Sequence, residues 1–113
     1  MREVTEKSLK AFINGKNGCF GGICNNQYAG KAYGQVNTQV KDGSLYLFGN
    51  EIAKLVNGEL YVRICVNSNT TRERLSNLNM FGYKISVTQH KFEPYINGEQ
   101  VHDYSKWYHI QKV

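Results

Sequence analysis

The stretch that decides the fold covers residues 41–78 and reads KDGSLYLFGNEIAKLVNGELYVRICVNSNTTRERLSNL. Apolar and polar residues alternate on both sides of Asn57-Gly58, a dipeptide that strongly indicates a two-residue hairpin turn. Successive side chains of a strand point to opposite faces, so the strand after this turn has one apolar face. We expect that face to lie in the core, and it carries Leu60, Val62, Ile64 and Val66. The stretch therefore predicts an antiparallel hairpin with one buried side.

The end of the same stretch, NTTRERLSNL, predicts a helix over residues 70–78. Thr70 and Glu73 have the spacing of a capping box, in which a hydroxyl and a carboxylate satisfy backbone N–H groups at the helix start. The leucines that follow would anchor one side of this helix against the sheet. Two basic residues are then expected near solvent, Arg72 and Arg74.

The N-terminal part of the chain predicts a second short helix, over residues 3–13. Leu9, Phe12 and Ile13 follow the i, i+3, i+4 spacing of an apolar helix face. Residues 14–31 are rich in Gly and Asn and predict a loop. This loop matches neither a Walker phosphate-binding loop nor a dinucleotide-binding fingerprint, so it predicts no nucleotide site.

From residue 32 onwards the alternating pattern and the turn dipeptides predict further antiparallel strands. A second Asn-Gly turn lies at residues 97–98, and the aromatic segment HDYSKWYHIQKV predicts a last strand that closes the sheet. The predicted fold is a β-rich α+β single domain over residues 1–113. It has a twisted antiparallel sheet or half-barrel with two short helices.

The charge balance is basic, with 14 Lys and Arg against 9 Asp and Glu and a net charge of +5. A basic surface attracts phosphates and releases their counterions on contact, which favours a polyanionic partner. The same balance argues against an acidic mimic of DNA. No apolar run approaches the roughly 20 residues of a membrane span, and the start lacks a signal-peptide core. We therefore expect a cytoplasmic protein with no membrane partner.

The three cysteines, Cys19, Cys24 and Cys65, form an odd number in a chain without a secretion signal, which favours free thiols. Cys19 and Cys24 have a spacing that zinc sites tolerate, but no second ligand pair has such spacing. The sequence also lacks a nucleophile elbow, a Cys-His signature and paired carboxylates. We therefore expect a non-enzymatic protein with no metal and no cofactor.

Eight tyrosines in a chain with few strands suggest that some of them are exposed. Nucleic-acid bases stack on such rings when basic groups surround them. The residues that would form this surface are Tyr46, Tyr61, Arg63, Arg72, Arg74 and Lys84. The alternative is that the tyrosines form a second packed layer under the helices.

Five segments resemble parts of small uncharacterised proteins encoded by bacteriophages and related mobile elements: GKAYGQVN, KDGSLYLFGNEIA, NGELYV, NTTRERLSNL and YINGEQV. In that group an LxLxGNxIA unit is followed by NTTRERLN-like residues and a YLNG turn. The resemblance covers residues 30–101 and implies a phage-type origin. It implies no catalytic or binding residues.

Three functions are compatible with these observations, and the least specified of them is a small-ligand sponge or a virion accessory piece. The first is a phage accessory protein that binds nucleic acid or a nucleoprotein through its basic, tyrosine-bearing surface. The alternative is an inhibitor of a host defence protein, of the anti-CRISPR or anti-restriction type, that binds its target directly. The oligomeric state stays open, because an exposed edge strand can pair two chains.

Overall fold

The computed structural model describes residues 3–20 and 38–113 of the chain. Within these ranges the backbone forms two α-helices, a 3-10 turn and nine strands in two antiparallel sheets. Neither sheet closes on itself. The prediction of a compact, β-rich α+β domain is therefore confirmed, in its open-sheet form.

The helices are α1 (Glu3–Ile13) and α2 (Asn69–Ser76), and the 3-10 turn covers Asn77–Phe81. The first five strands are β1 (Gly18–Phe20), β2 (Thr38–Lys41), β3 (Ser44–Leu47), β4 (Asn50–Val56) and β5 (Glu59–Val62). The remaining strands are β6 (Val87–His90), β7 (Glu93–Ile96), β8 (Glu99–Gln100) and β9 (Tyr108–Ile110).

The larger sheet has six strands in the order β1-β2-β3-β4-β5-β9. The strands β2 to β5 follow one another through tight turns, and the predicted Asn57-Gly58 turn joins β4 to β5. The chain then leaves the sheet for α2 and the three-stranded sheet β6-β7-β8, and returns to pair β9 with β5. The last strand therefore extends one edge of the sheet.

One face of the six-stranded sheet, here called the inner face, packs against α1 and α2. Apolar side chains from both helices and from alternate positions of the strands make one continuous core. A β-bulge in the β3–β4 ladder places one extra residue in β4, so that Ile52 and Ala53 are both buried. The bulge also brings Glu51 opposite Tyr46 on the other face, here called the outer face.

The buried face predicted for the strand after Asn57-Gly58 is right for three of its four residues. Leu60, Val62 and Ile64 have no exposed surface, whereas Val66 is 52% exposed. The alternation ends because β5 stops at Val62 and Cys65 adopts a positive φ of 57°, which turns the chain out of the sheet plane.

The helix predicted over residues 70–78 forms one residue earlier and ends as a 3-10 turn. Its cap is Ser68, whose side chain accepts a hydrogen bond of 3.1 Å from the backbone N–H of Thr71. The predicted cap at Thr70 is therefore wrong. Several hydroxyl residues in this segment can cap a helix, and packing of Leu75 on the core selects the register.

At the N-terminus, α1 has the predicted bounds, because its apolar face packs on the sheet through Leu9 and Phe12. The loop predicted over residues 14–31 is interrupted by β1, which pairs with β2. Isolated Gly and Asn residues hid this short strand from the sequence pattern. Residues 21–37, and with them the rest of that loop and the predicted strand start at residue 32, lie outside the described residues.

Candidate functional site

Hairpin geometry lines up three side chains across the outer face of the six-stranded sheet. The two-residue turn places Lys54 of β4 opposite Tyr61 of β5, and β9 places His109 opposite Tyr61. The Lys54 Nζ lies 5.8 Å from the centre of the Tyr61 ring. The Tyr61 and His109 rings have centres 5.2 Å apart and are tilted by 53°. The result is a row of one cation and two rings across three strands.

Trp107, one residue before β9, adds a larger ring to this row. The Lys54 Nζ is 4.2 Å from the centre of the Trp107 ring, and the Arg63 Cζ is 4.4 Å from it. Both distances are within the range of cation–π attraction. Together the residues form what we call the aromatic–cationic surface, which consists of Lys54, Tyr61, Arg63, Trp107 and His109.

The guanidinium of Arg63 is held in place by Glu51. Its Nε donates a hydrogen bond of 2.7 Å to the backbone carbonyl of Glu51, and its Nη2 lies 3.6 Å from the carboxylate Oε1. Ser44 donates a 2.5 Å hydrogen bond to the other carboxylate oxygen. Because the β-bulge turns Glu51 to the outer face, a backbone irregularity orients the arginine over Trp107.

The surface carries acidic as well as basic groups. The Nε2 of His109 lies 2.7 Å from the Oε2 of Glu59, and both side chains are about half exposed. Glu51 and Glu59 therefore offset part of the positive charge of Lys54 and Arg63. The surface is therefore characterised by aromatic rings with cations held over them, and not by a large excess of positive charge.

The structure brings together some of the predicted site residues and separates others. Tyr61 and Arg63 are both in the aromatic–cationic surface. Tyr46 is on the same outer face, opposite Glu51, and is half-buried. This placement excludes the alternative of a tyrosine layer under the helices for Tyr46 and Tyr61, since both lie on the opposite face.

Lys84 is exposed and lies beyond the β9 edge. Its backbone N–H donates a hydrogen bond of 2.8 Å to the carbonyl of Gln111. It lines an open groove of about 720 Å³ together with His109. The other lining residues are Asn79, Tyr83, Ile85, Ser86, Asn97 and Gln111. Lys84 therefore borders the aromatic–cationic surface through His109.

Arg72 lies on α2, on the helix side of the sheet, away from Tyr61. Its two terminal nitrogens donate to the side-chain oxygens of Asn67 and Asn69. It therefore braces the start of its own helix.

The prediction that Arg74 lies near solvent is wrong. Its side chain has no exposed surface and donates hydrogen bonds to Thr5, Thr38 and Glu73, with the Nε to Thr38 Oγ1 distance at 3.3 Å. The sequence carries the signal, because Arg74 is four residues before the buried Leu78 and therefore on the same helical stripe. Arg74 is a core residue and cannot contact a partner.

Sequence reasoning missed Lys54, Trp107 and His109. The position of Lys54 was accessible, because a two-residue Asn57-Gly58 turn pairs residue 54 with residue 61. The positions of Trp107 and His109 were not, because their place depends on which strand β9 joins. That pairing is made between segments far apart in the chain.

Cys65 borders the surface and donates a 3.1 Å hydrogen bond to the carbonyl of Glu51. Burial raises the pKa of its thiol above the ordinary value, and the nearby Arg63 opposes this only in part. Burial, with a smaller contribution from Glu59, also raises the pKa of the Tyr83 hydroxyl in the adjoining groove. Both groups are therefore neutral at neutral pH.

Across residues 3–20 and 38–113, no three His, Cys, Asp or Glu side chains are grouped in a way that could hold a metal ion. Cys24, which has a zinc-tolerated spacing from Cys19, lies outside these ranges. In the same part of the chain, no helix is long and apolar enough to cross a membrane.

A family model described as Kyanoviridae Gp96 protein matches residues 1–112. No curated protein and no solved structure matches the chain. The match extends over nearly the whole sequence, including the segments on which the resemblance to phage proteins was based. The inferred phage origin is confirmed at this level. The chain therefore belongs to the Kyanoviridae Gp96 protein family, a family of cyanophage proteins.

Proposed function

We propose that this phage protein is a non-enzymatic binding protein that holds single-stranded nucleic acid on its aromatic–cationic surface, in the cytoplasm of the host cell. One observation carries the proposal: Trp107 has Lys54 and Arg63 at 4.2 and 4.4 Å from its ring centre, on a sheet face that also carries Tyr61. Proteins bind unpaired bases by stacking them on aromatic side chains while cations contact the backbone.

The proposal specifies a single strand because of the geometry of the rings. Stacking requires the flat face of a base, and in a duplex both faces are covered by neighbouring base pairs. Tyr61 on β5, His109 on β9 and Trp107, one residue before β9, place three rings at the same sheet face, so successive bases can each meet a ring. The strands fix these rings, which lowers the entropy cost of ordering them on binding.

Charge supports binding but is not its main source. Glu51 and Glu59 offset part of the positive charge at the surface, although the whole chain has a net charge of +5. With about two phosphates neutralised by Lys54 and Arg63, the salt dependence of a single strand would have a slope of about −1.4 in log–log form. We therefore expect binding to weaken only moderately as salt rises.

The test uses the chain's own fluorophore, since tryptophan occurs once in the sequence, at Trp107. Titration with oligo(dT) and with oligo(U) should quench its fluorescence, because a stacked base changes the environment of the indole. Changing both Lys54 and Arg63 to Ala should weaken binding about tenfold, because it removes the two cations that lie over the Trp107 ring and would contact the backbone of the bound strand. Lys16→Ala, at an exposed residue beyond α1, is the matched control and should change affinity less than about twofold.

An absence of quenching and of any mobility shift at low salt, with both oligonucleotides, would overturn this proposal. Equal affinity of the double variant and the control would also contradict it, because Lys54 and Arg63 would then contribute no more to binding than a lysine outside the aromatic–cationic surface.

The alternative function, inhibition of a host defence protein, would use the same residues. Tryptophan, tyrosine and arginine are enriched among the residues that carry most of the energy in protein interfaces. Here Arg63 lies over the Trp107 ring, and Lys54 lies near both that ring and the Tyr61 ring. Affinity capture from host lysate distinguishes the two functions. A single stoichiometric protein that survives nuclease treatment and is lost with Arg63→Ala supports the inhibitor, whereas recovered nucleic acid without a protein supports the first proposal.

A further inference from the structure

The turn between β6 and β7 differs from every other strand-to-strand turn in the described residues. Five two-residue turns join neighbouring strands there, and in each of them both central residues have a positive φ. Four turns have Gly at the second position: Asp42-Gly43, Phe48-Gly49, Asn57-Gly58 and Asn97-Gly98. The fifth is Lys91-Phe92, with φ values of 51° and 65° and no glycine. An aromatic residue in this conformation is strained, and glycine would avoid the strain.

The Phe92 side chain gains nothing from packing that would offset this strain. It is 85% exposed, compared with 51% for Phe48 in the turn after β3. Folding favours neither an exposed phenylalanine nor a positive φ at that residue. Strained, exposed residues of this kind are concentrated at binding sites, where the side chain contacts a partner.

The turn is also braced from outside its own hairpin. The side-chain N–H of Asn67 donates a hydrogen bond of 3.1 Å to the carbonyl of Phe92. The side-chain oxygen of Asn67 accepts a hydrogen bond from Arg72. Asn67 follows Arg63 by only four residues, so the two Cα atoms are at most about 14 Å apart. The brace therefore ties the Phe92 turn to the segment that follows Arg63 of the aromatic–cationic surface.

We propose that Phe92 is a second stacking platform for the same single strand, and that Lys91 contacts a phosphate beside it. This inference rests on the proposed function and extends it. The exposed ring can take a base face, and the adjacent lysine supplies the cation that such stacking sites combine with a ring. A strand of roughly four or more nucleotides would be needed to reach both platforms, within the range of known single-strand sites. Affinity should therefore depend on strand length.

The test compares Phe92→Ala with Phe48→Ala, because both residues are exposed phenylalanines with a positive φ in two-residue turns. Each variant is titrated with a three-nucleotide and a twelve-nucleotide oligo(dT), and with oligo(U) of the same lengths, using Trp107 fluorescence. We expect Phe92→Ala to weaken binding of the longer strand about tenfold, as for loss of one stacked base. Binding of the three-nucleotide strand should be unchanged, and Phe48→Ala should leave both unchanged.

A second variant, Phe92→Gly, separates stability from binding. It should raise the thermal midpoint, because glycine relieves the strained φ, and yet weaken binding of the longer strand as much as Phe92→Ala does. If the longer strand binds the wild type and Phe92→Ala equally well, while the double change of Lys54 and Arg63 to Ala weakens it, this inference alone is overturned. If the wild type binds no strand, the proposed function is overturned together with it.

Discussion

The inner and outer faces of the six-stranded sheet are built from alternate residues of the same strands, yet they hold their arginines in different ways. Behind the inner face, Arg74 is fully buried and donates to Thr5, Thr38 and Glu73. On the outer face, Arg63 is bound to Glu51 along one edge and lies over the Trp107 ring. The first arginine joins α1, α2 and β2, whereas the second is presented at the surface.

This difference shows that basic residues of one chain can have separate roles that a net charge does not reveal. A buried guanidinium is stable only when protein groups replace the water that it loses. An arginine on a ring at the surface keeps part of its hydration and can exchange contacts with a partner. Of the basic residues predicted to form a site, those on the outer face are available for binding and Arg74 is not.

The largest expected effect comes from the buried arginine. Arg74→Met should lower the free energy of unfolding by about 3 kcal/mol, because it removes one partner of a buried polar network and leaves two threonine hydroxyls without it. Arg63→Met should lower it by about 1 kcal/mol, because its contacts are partly solvated. Urea denaturation of the two variants measures both values, and a similar loss in both would contradict the assignment of Arg74 to the core.

A second comparison uses neighbouring residues of β5 that point to opposite faces. Leu60→Ala should lower the free energy of unfolding by about 3 kcal/mol, since Leu60 is fully buried and the substitution leaves a cavity. Tyr61→Ala should lower it by less than about 1 kcal/mol, because the half-exposed ring packs only on the outer face. Denaturation curves check this order, and a larger loss for Tyr61 would indicate that the outer face is part of the core.

The smallest expected effect is a pH dependence at Cys65. Because burial raises the pKa of this thiol, the folded protein holds the proton at pH values where the unfolded chain begins to release it. The resulting stabilisation is complete below the unfolded pKa and is lost as the pH rises through the folded pKa. Stability should therefore fall on going to alkaline pH, and Cys65→Ala should reduce this fall.

The matched control for that measurement is Cys19→Ala, which removes the other described thiol. Urea denaturation at about pH 7 and about pH 10, on the two sides of an ordinary thiol pKa, measures the free energy of unfolding at each pH. The difference between the two values is then compared among the wild type, Cys65→Ala and Cys19→Ala. Identical pH dependence in the wild type and Cys65→Ala would show that the thiol makes no such contribution.

The sequence pattern predicted those helices and strands that depend on interactions between residues close together in the chain. The bounds of α1 follow from its apolar spacing, and the β4–β5 hairpin follows from Asn57-Gly58, which can adopt the positive φ values that the turn requires. The capping residue of α2 was missed because neighbouring hydroxyls compete for that role. The short strand β1 was missed because its pairing with β2, and not its own composition, makes it a strand.

The residues of the candidate site also fall into two groups, those predictable from local patterns and those placed by long-range pairing. Tyr61 and Arg63 were predicted from strand alternation, and Lys54 was within reach of the hairpin register. Trp107 and His109 enter the site only because β9 joins the edge of β5. No local pattern specifies that pairing.

The sequence by itself therefore determined the class of fold and the central hairpin, because residue spacing and turn chemistry act over a few positions, while its resemblance to phage proteins indicated the origin. Tertiary structure alone decided which groups the buried Arg74 contacts, which rings meet on the outer face and where the last strand lies. Those outcomes depend on contacts between distant segments, and their energies are set by burial and by the partners that each side chain finds there.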